Sequence, residues 1–156
     1  MESKKKSKTK KPKAKRSENK SKKIKAKKVA SDVKSKKKIL IIEDDSTISN
    51  MYKTGLTNYG YEVTLAQDGE EGLKLVKTEK PDVILLDVIM PKLDGFAVLT
   101  QLQANVATKK IPVLMLTNLG QVEDKRRGKK LGAVDYVVKA DFTPMQVSEK
   151  IKKFLK

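Results

Sequence analysis

The chain of 156 residues is long enough for one domain of ordinary size and carries a formal net charge of +17. It contains no Cys and no His, which excludes a disulfide framework, thiolate or imidazole metal ligands, a His general base and a phosphohistidine carrier. No apolar run approaches the length of a membrane span, and no signal-peptide core follows the basic N-terminus. We therefore expect a cytoplasmic protein.

The positive charge is concentrated at the N-terminus. Residues 1–38 hold 19 Lys and Arg against 3 acidic residues, whereas residues 39–156 hold 17 against 16. With so few large apolar side chains, residues 1–37 cannot bury enough surface to offset chain entropy, and we expect a disordered lysine-rich tail. Such a tail favours nonspecific, salt-dependent binding to nucleic acid and an association with the nucleoid. A purely solvated charge run and attraction to anionic lipid are the alternatives.

The folded part begins with the apolar run 39–42, which predicts a buried strand followed directly by Glu43, Asp44 and Asp45. Three carboxylates this close repel one another and are usually stabilised by a cation. Oxygen ligands at a strand end suit Mg²⁺, which takes one or two carboxylates and keeps waters for a phosphate. The alternative is that Asp45 or Ser46 simply caps the following helix, and both roles can hold together because three acids exceed what a cap needs.

The next segments alternate between helix and strand. Apolar residues at helical spacing predict a helix that ends before Gly60, with Tyr52 and Tyr59 as core or rim residues. Residues 61–65 alternate in the manner of a strand, and a short helix precedes Pro81.

The uninterrupted apolar run 83–86 predicts a strand buried on both faces, and it ends on Asp87. A loop with Pro91 and Gly95 follows. Sites in open parallel sheets lie where the strands end, so Asp87 is well placed for chemistry. Taken alone, Asp87 would equally suit a cap on the turn that follows.

The remaining residues continue the alternation. A helix near 96–102 leads to a strand at 113–116 that ends in Thr117, then to a basic helix near 121–131 and a strand at 134–138 that ends in Lys139. Thr143 should cap a fifth helix with Pro144 at its first position, and its buried face should comprise Val147, Ile151, Phe154 and Leu155. Five strands alternating with five helices predict a doubly wound α/β fold around a parallel sheet.

The strand ends supply a coherent set of chemical groups. They would bring the acidic cluster at 43–45, Asp87, the Thr117 hydroxyl and the Lys139 ammonium to one edge of the sheet. An Asp can form a covalent acyl phosphate, while Mg²⁺ and Lys neutralise the transferring phosphoryl oxygens. The set therefore predicts transfer of a phosphoryl group onto a carboxylate.

Over about residues 37–156, the chain resembles the receiver domain of two-component response regulators. The residues that carry the resemblance are Glu43-Asp44-Asp45, Asp87, Met90-Pro91, Asp94-Gly95, Thr117, Tyr136 and Lys139. Thr117 lies 30 residues after Asp87, and Lys139 lies 22 residues after Thr117. The resemblance implies a flavodoxin-like strand order 2-1-3-4-5, with a receiver domain at 38–156 preceded by the tail at 1–37.

The resemblance also implies a role for each site residue. Asp87 would be the phosphoacceptor, with Thr117 and Lys139 as its catalytic partners. Thr117 and Tyr136 would form the switch pair. Mg²⁺ would be held by Asp87, directly by Asp44, through water by Glu43 and by the backbone carbonyl of Ile89, with Asp45 as a further candidate.

Further expectations concern partners and kinetics. A histidine kinase or phosphotransfer protein would supply the phosphoryl group to a monomer or a weak phosphorylation-dependent dimer. The protein would be no enzyme beyond its own phosphorylation and dephosphorylation. Ile89 and Leu119 would flank the path of the hydrolytic water, and neither can hydrogen-bond it, so we expect a long-lived phosphoryl group. An unidentified output partner would bind the face formed by Lys125, Arg126, Arg127, Lys129 and Lys130.

Two departures from the family pattern stand out. Ala140 follows Lys139 where family members usually carry Pro, and we expect no output domain after the fifth helix. We therefore expect a single-domain regulator with a basic tail in place of an effector. The alternative is a nucleic-acid-binding architectural protein that uses the receiver fold as a scaffold, but the complete set of Asp87, Thr117 and Lys139 argues against it.

Overall fold

The computed structural model describes residues 35–118, 122–139 and 141–155. Within these ranges, strands and helices alternate along the chain. The strands are β1 (Lys38–Ile42), β2 (Glu62–Ala66), β3 (Val83–Asp87), β4 (Val113–Thr117) and β5 (Asp135–Val138). The helices are α1 (Ser46–Asn58), α2 (Gly69–Glu79), α3 (Gly95–Ala104), α4 (Val122–Lys130) and α5 (Pro144–Lys152).

The strands form a single parallel sheet in the order β2-β1-β3-β4-β5, which confirms the predicted order. β3 lies at its centre and is buried along its whole length. Helices must then cover both faces, because parallel strands are joined by crossovers that pass over the sheet.

Successive side chains of β1 point to opposite faces and enter two separate cores. Leu40 and Ile42 pack in a cluster with residues of α2 and α3, whereas Ile39 and Ile41 pack in a second cluster with residues of α1 and α5. A strand in the middle of the sheet therefore contributes side chains to both cores, so every residue of its central run is apolar.

Side-chain caps fix several helix starts. The Asp45 carboxylate accepts from the N–H groups of Thr47 and Ile48 and caps α1, and Asp94 caps α3. Thr143 caps α5 in a reciprocal capping box with Gln146, as its sequence predicted. Each cap satisfies backbone donors that would otherwise lack a partner, typically contributing about 1 kcal/mol.

Several predicted boundaries were displaced. β2 begins at Glu62 rather than at residue 61, and β5 begins at Asp135 rather than at 134. α5 ends at Lys152, so Phe154 and Leu155 lie beyond it, half-buried against the core. Tyr52 is fully buried as predicted, whereas Tyr59 is 51% exposed because it caps the end of α1.

The expected tail at 1–37 falls almost wholly outside the described residues. Of it, the structure describes residues 35–37, which are exposed and lie outside helix and strand. The backbone carbonyl of Lys37 already accepts from Glu62 N at 2.9 Å, so sheet pairing starts at that point. No helix among the described residues is long and apolar enough to cross a membrane.

Candidate functional site

The strand register places the predicted site residues side by side. Ile42 pairs with Leu86, so Glu43 and Asp87 follow at the ends of adjacent strands. Thr117 pairs with Val138, and the Lys139 N–H then donates to the Thr117 carbonyl at 2.9 Å. Because parallel strands end at the same edge, residues far apart in sequence meet there.

A buried ion cluster joins three of these residues. The Lys139 ammonium lies 2.7 Å from Glu43 Oε2 and 3.0 Å from Asp87 Oδ1, with side-chain exposures of 9%, 1% and 4% for the three residues. One cation therefore bridges two carboxylates in a site almost closed to water. Sequence reasoning missed the direct contact between Lys139 and Glu43, since only the strand register makes them neighbours.

Burial is the largest influence on the titration of the carboxyls in this cluster. Burial, with a contribution from the negative charge of Asp87, raises the pKa of Glu43 to about 7. Burial also raises the pKa of Asp87, against the opposing effect of Lys139. For Lys139, burial lowers the pKa, but hydrogen bonding to Glu43 and the charge of Asp87 outweigh it and leave the pKa raised. The two carboxylates thus have too little positive charge nearby.

A divalent cation would supply that charge. Carboxylate oxygens of Glu43, Asp44 and Asp87 all lie within 4.8 Å of one another. Hard oxygen ligands at this spacing fit a small cation such as Mg²⁺. Asp44 is exposed and gives access from solvent, whereas the other two are buried. The donor set and the raised carboxyl pKa values agree with a cation site.

Asp45 is not a member of this acidic group. Its carboxylate is engaged by the α1 backbone, with Thr47 N at 2.9 Å and Ile48 N at 3.2 Å. The helix cap considered for Asp45 from the sequence is therefore present in the structure.

Thr117 presents a hydroxyl with unused hydrogen-bonding capacity. The residue is buried, and its Oγ1 finds no hydrogen-bond partner among the residues that the structure describes. A buried hydroxyl without a partner costs roughly 1–3 kcal/mol. Its position at the end of β4, one residue beyond the partner of Asp87, suits it to bind a ligand at the sheet edge.

The Tyr136 ring lies close to two cations. It lies 4.1 Å from Lys125 Nζ and 5.4 Å from Lys150 Nζ, and Lys150 also pairs with Asp135 at 3.0 Å. The sequence singled out Tyr136 and Lys125 but gave no sign of Lys150, which reaches this place from α5. Cation–π contacts of this kind favour the observed position of the ring.

The loop between β3 and α3 is shaped around Asp87. Gly95 donates its N–H to the Val88 carbonyl at 2.9 Å, and a Cβ at Gly95 would overlap the Asp87 carbonyl oxygen. Only glycine therefore permits this approach of α3 to the loop. The Ile89 N–H lies 3.3 Å from Asp87 Oδ1, while its side chain is 68% exposed. Leu119, Gly120 and Ala140 lie outside the described residues.

Three of the five residues of the predicted output face lie together on one surface. Lys125, Arg126 and Lys129 line a cavity of about 380 Å³ between α4 and β5 that also includes Tyr136. Arg127 instead lies over the Phe96 ring at 4.3 Å, on the side of α3. Lys130 is exposed near the end of α4 and does not line this cavity.

Known proteins resemble this chain over its folded part. Residues 39–152 match the family described as the response regulator receiver domain. The chain is 42% identical over 125 residues to the probable transcriptional regulator ycf27 of Guillardia theta, covering 80% of this chain and 48% of that protein. It is 44% identical over 120 residues to the alkaline phosphatase synthesis transcriptional regulatory protein PhoP of Bacillus subtilis, covering 77% and 49%. The chain spans about half the length of these curated relatives.

Solved structures agree with these matches. The chemotaxis protein CheY4 of Vibrio cholerae superimposes with a TM-score of 0.73 at 34% identity, covering 78% of this chain and 100% of that chain. The receiver domain of the Francisella response regulator 1452 does so with a TM-score of 0.69 at 34% identity, covering 76% and 95%.

Proposed function

The chain belongs to the response regulator receiver domain family, and on that premise we propose that it is a signalling switch in which Asp87 accepts a phosphoryl group. The observation that carries the proposal is the buried contact between Asp87 and Lys139, at 3.0 Å, beside an acidic group fit for a cation. The family is a signalling domain, and we propose that this member acts on no substrate other than itself.

The chemistry needs a nucleophile, charge neutralisation and an acceptor for the new phosphoryl oxygens. An Asp87 carboxylate oxygen attacks the phosphorus of a phosphohistidine, the phosphorus–nitrogen bond breaks, and the leaving imidazole takes up a proton. Mg²⁺ bound by Glu43, Asp44, Asp87 and the Ile89 carbonyl would neutralise negative charge on the phosphoryl oxygens. A histidine kinase or a phosphotransfer protein is the donor of the phosphoryl group.

Lys139 and Thr117 would receive the product. The Lys139 ammonium, now shared by two carboxylates, can move its contact to a phosphoryl oxygen. The unpartnered Thr117 hydroxyl can donate to another, which satisfies a group that lacks a partner within the described residues. Formation of this hydrogen bond by Thr117 is the first step of the switch that we propose.

Tyr136 would transmit the change to the surface. Its ring forms part of the cavity beside α4, so a rearrangement of Thr117 and Tyr136 would alter that surface and its affinity for an output partner. The exposed cations Arg126 and Lys129 at its rim suit an acidic partner. The printed names of the curated relatives describe transcriptional regulators, which makes control of transcription a reasonable output for this chain.

For residues 1–37, we propose nonspecific binding to nucleic acid. The support is the composition alone, since residues 1–38 carry 19 of the 36 basic side chains. Binding would depend steeply on salt because it releases counterions.

The phosphoacceptor proposal is tested by intact-mass spectrometry after incubation with a small phosphodonor. We expect one phosphoryl group on the full-length protein in the presence of Mg²⁺ and none after chelation. Asp87→Asn should remove the acceptor, whereas Asp45→Asn, which alters a helix cap, should leave it. A wild-type protein that gains no phosphoryl group with Mg²⁺ contradicts the proposal.

A further inference from the structure

The two edges of the sheet differ in charge. Acidic residues gather at the edge where the strands end, as the site described above shows. The opposite edge, where the strands begin and the helices end, carries a set of exposed lysines, which we name the basic edge. Its members are Lys36, Lys37, Lys80, Lys109, Lys110, Lys152 and Lys153.

The lysines of the basic edge carry charge that is not neutralised locally. None of these seven forms an ion pair with any residue that the structure describes. Three acidic residues, Glu62, Glu79 and Asp82, lie at the same edge. Seven lysines against three carboxylates leave the edge with a net positive charge.

Helix dipoles do not account for all of this charge. Basic residues in a last helical turn, such as Lys152, complement the negative end of the dipole. Lys109 and Lys110 lie in the loop between α3 and β4 and belong to no helix. Lys36 and Lys37 precede the first strand. The excess therefore requires another explanation.

Three of these lysines line two cavities at this edge. Lys37 and Lys110 line a cavity of about 240 Å³ together with Asp82, Phe154 and Leu155. Lys80 lines a second cavity of about 460 Å³ with Lys77 and the residues 105, 107, 108 and 111. The loop that carries Lys109 and Lys110 contributes residues to both cavities, so it connects the two groups of lysines.

We propose that the basic edge binds the phosphate backbone of a nucleic acid. The seven cations of the edge are all lysines, which bind phosphate as point charges, whereas base recognition commonly uses the planar fork of arginine. The binding is therefore independent of sequence. A membrane surface fits less well, because these lysines lie on loops and helix ends rather than on the polar face of an amphipathic helix.

The geometry also separates this surface from the phosphoacceptor. A strand of five residues such as β3 spans roughly 16 Å, about twice the screening length of about 8 Å at physiological salt. A phosphoryl group adds about two negative charges at the far edge, so we expect nucleic-acid affinity to change by less than about twofold. Binding at the basic edge is therefore independent of phosphorylation.

The test uses the full-length protein and a short fluorescent DNA duplex, with affinity measured by anisotropy across a salt series. Lys109→Gln with Lys110→Gln should weaken binding and reduce the slope of log affinity against log salt by about two, since each phosphate contact contributes roughly 0.9. The matched control is Lys53→Gln with Lys74→Gln, which removes the same charge from exposed positions inside α1 and α2 and should leave the slope unchanged. Equal melting temperatures would establish that both variants fold.

Three results would overturn the inference. An equal loss in both variants would show that net charge alone governs binding. A slope unchanged by the 109/110 pair would show that the basic edge makes no phosphate contact. Binding to phosphatidylserine-containing vesicles with no binding to the duplex would assign the surface to membranes.

Discussion

Replacement of Lys139 by Met removes the one cation of the buried ion cluster while keeping a side chain of similar length. In the wild type, its ammonium lies 2.7 Å from Glu43 and 3.0 Å from Asp87. Without it, two carboxylates remain in a site that is almost closed to water. Breaking a buried ion pair from one side typically costs about 3–5 kcal/mol of unfolding free energy.

Protonation should reduce that cost at low pH. Burial already raises the pKa of Glu43 to about 7 and raises that of Asp87, and the loss of Lys139 will raise both further. A carboxyl whose pKa is raised in the folded state holds a proton that the unfolded chain has lost. The stability that such a carboxyl contributes is fully present at a pH below its pKa in the unfolded chain. That stability is lost as the pH rises through its pKa in the folded protein.

The expected result is a destabilisation that grows with pH in metal-free protein. Near pH 8 we expect the lower end of the range, about 3 kcal/mol, because partial protonation relieves some of the strain. At roughly 4 °C per kcal/mol for a domain of this size, the melting temperature falls by about 12 °C. Near pH 5, below the pKa of Glu43, protonation of that carboxyl removes one of the two buried charges, so the loss should be clearly smaller than at pH 8.

The measurement is thermal and urea unfolding at both pH values in the presence of a chelator. Lys92→Met is the matched control, because Lys92 pairs with Asp68 at 3.6 Å on the surface, with a side-chain exposure of 62%. Such a pair contributes less than about 1 kcal/mol. Equal losses for the Lys139 variant at the two pH values, or a loss no greater than that of the control, would refute the account of the cluster.

Three further predictions concern the site and its surroundings. Gly95→Ala should destabilise the protein by about 1–3 kcal/mol and slow phosphorylation, since its Cβ would overlap the Asp87 carbonyl oxygen. Gly128→Ala first meets the flexible Met115 side chain, at 3.2 Å, and should cost less in the same urea titration. Ile89→Asn combined with Leu119→Glu should speed hydrolysis of the phosphoryl group by roughly tenfold or more, because the polar side chains admit and orient the attacking water. Decay is followed on a phosphate-affinity gel. A decay rate equal to that of the wild type would show that these two positions do not set the lifetime of the phosphoryl group. Arg126→Glu with Lys129→Glu should weaken binding of an acidic output partner without altering phosphorylation, because both cations line the cavity beside α4. A partner that binds both phosphorylation states equally would remove the switch.

The fold could be predicted from sequence because its determinants are local. The runs before Glu43 and Asp87 are apolar at every position, whereas a strand with one face in solvent would alternate apolar and polar residues. The strands alternate along the chain with helical patterns, and that order favours a parallel sheet. The displaced boundaries, such as the start of β2 at Glu62, depend on strand pairing. Pairing is a tertiary property that a single segment does not encode.

The site was predictable as a set of residues but not as a set of contacts. Position at strand ends singles out Asp87, Thr117 and Lys139. The contact of Lys139 with Glu43, by contrast, requires the register of β1 against β3 and of β4 against β5. The contact of Lys150 with Tyr136 joins α5 to β5 across the surface, and no spacing in the sequence indicates it.

The central claim is that Asp87 itself carries the phosphoryl group. Borohydride reduces an acyl phosphate to the corresponding alcohol, so reduction after phosphodonor treatment marks the modified residue, and peptide mass spectrometry then locates it. The account predicts conversion of Asp87 to homoserine only in samples that contain Mg²⁺. Conversion at Asp44 or Asp45, or no conversion in a protein shown to be folded and loaded with Mg²⁺, would contradict it.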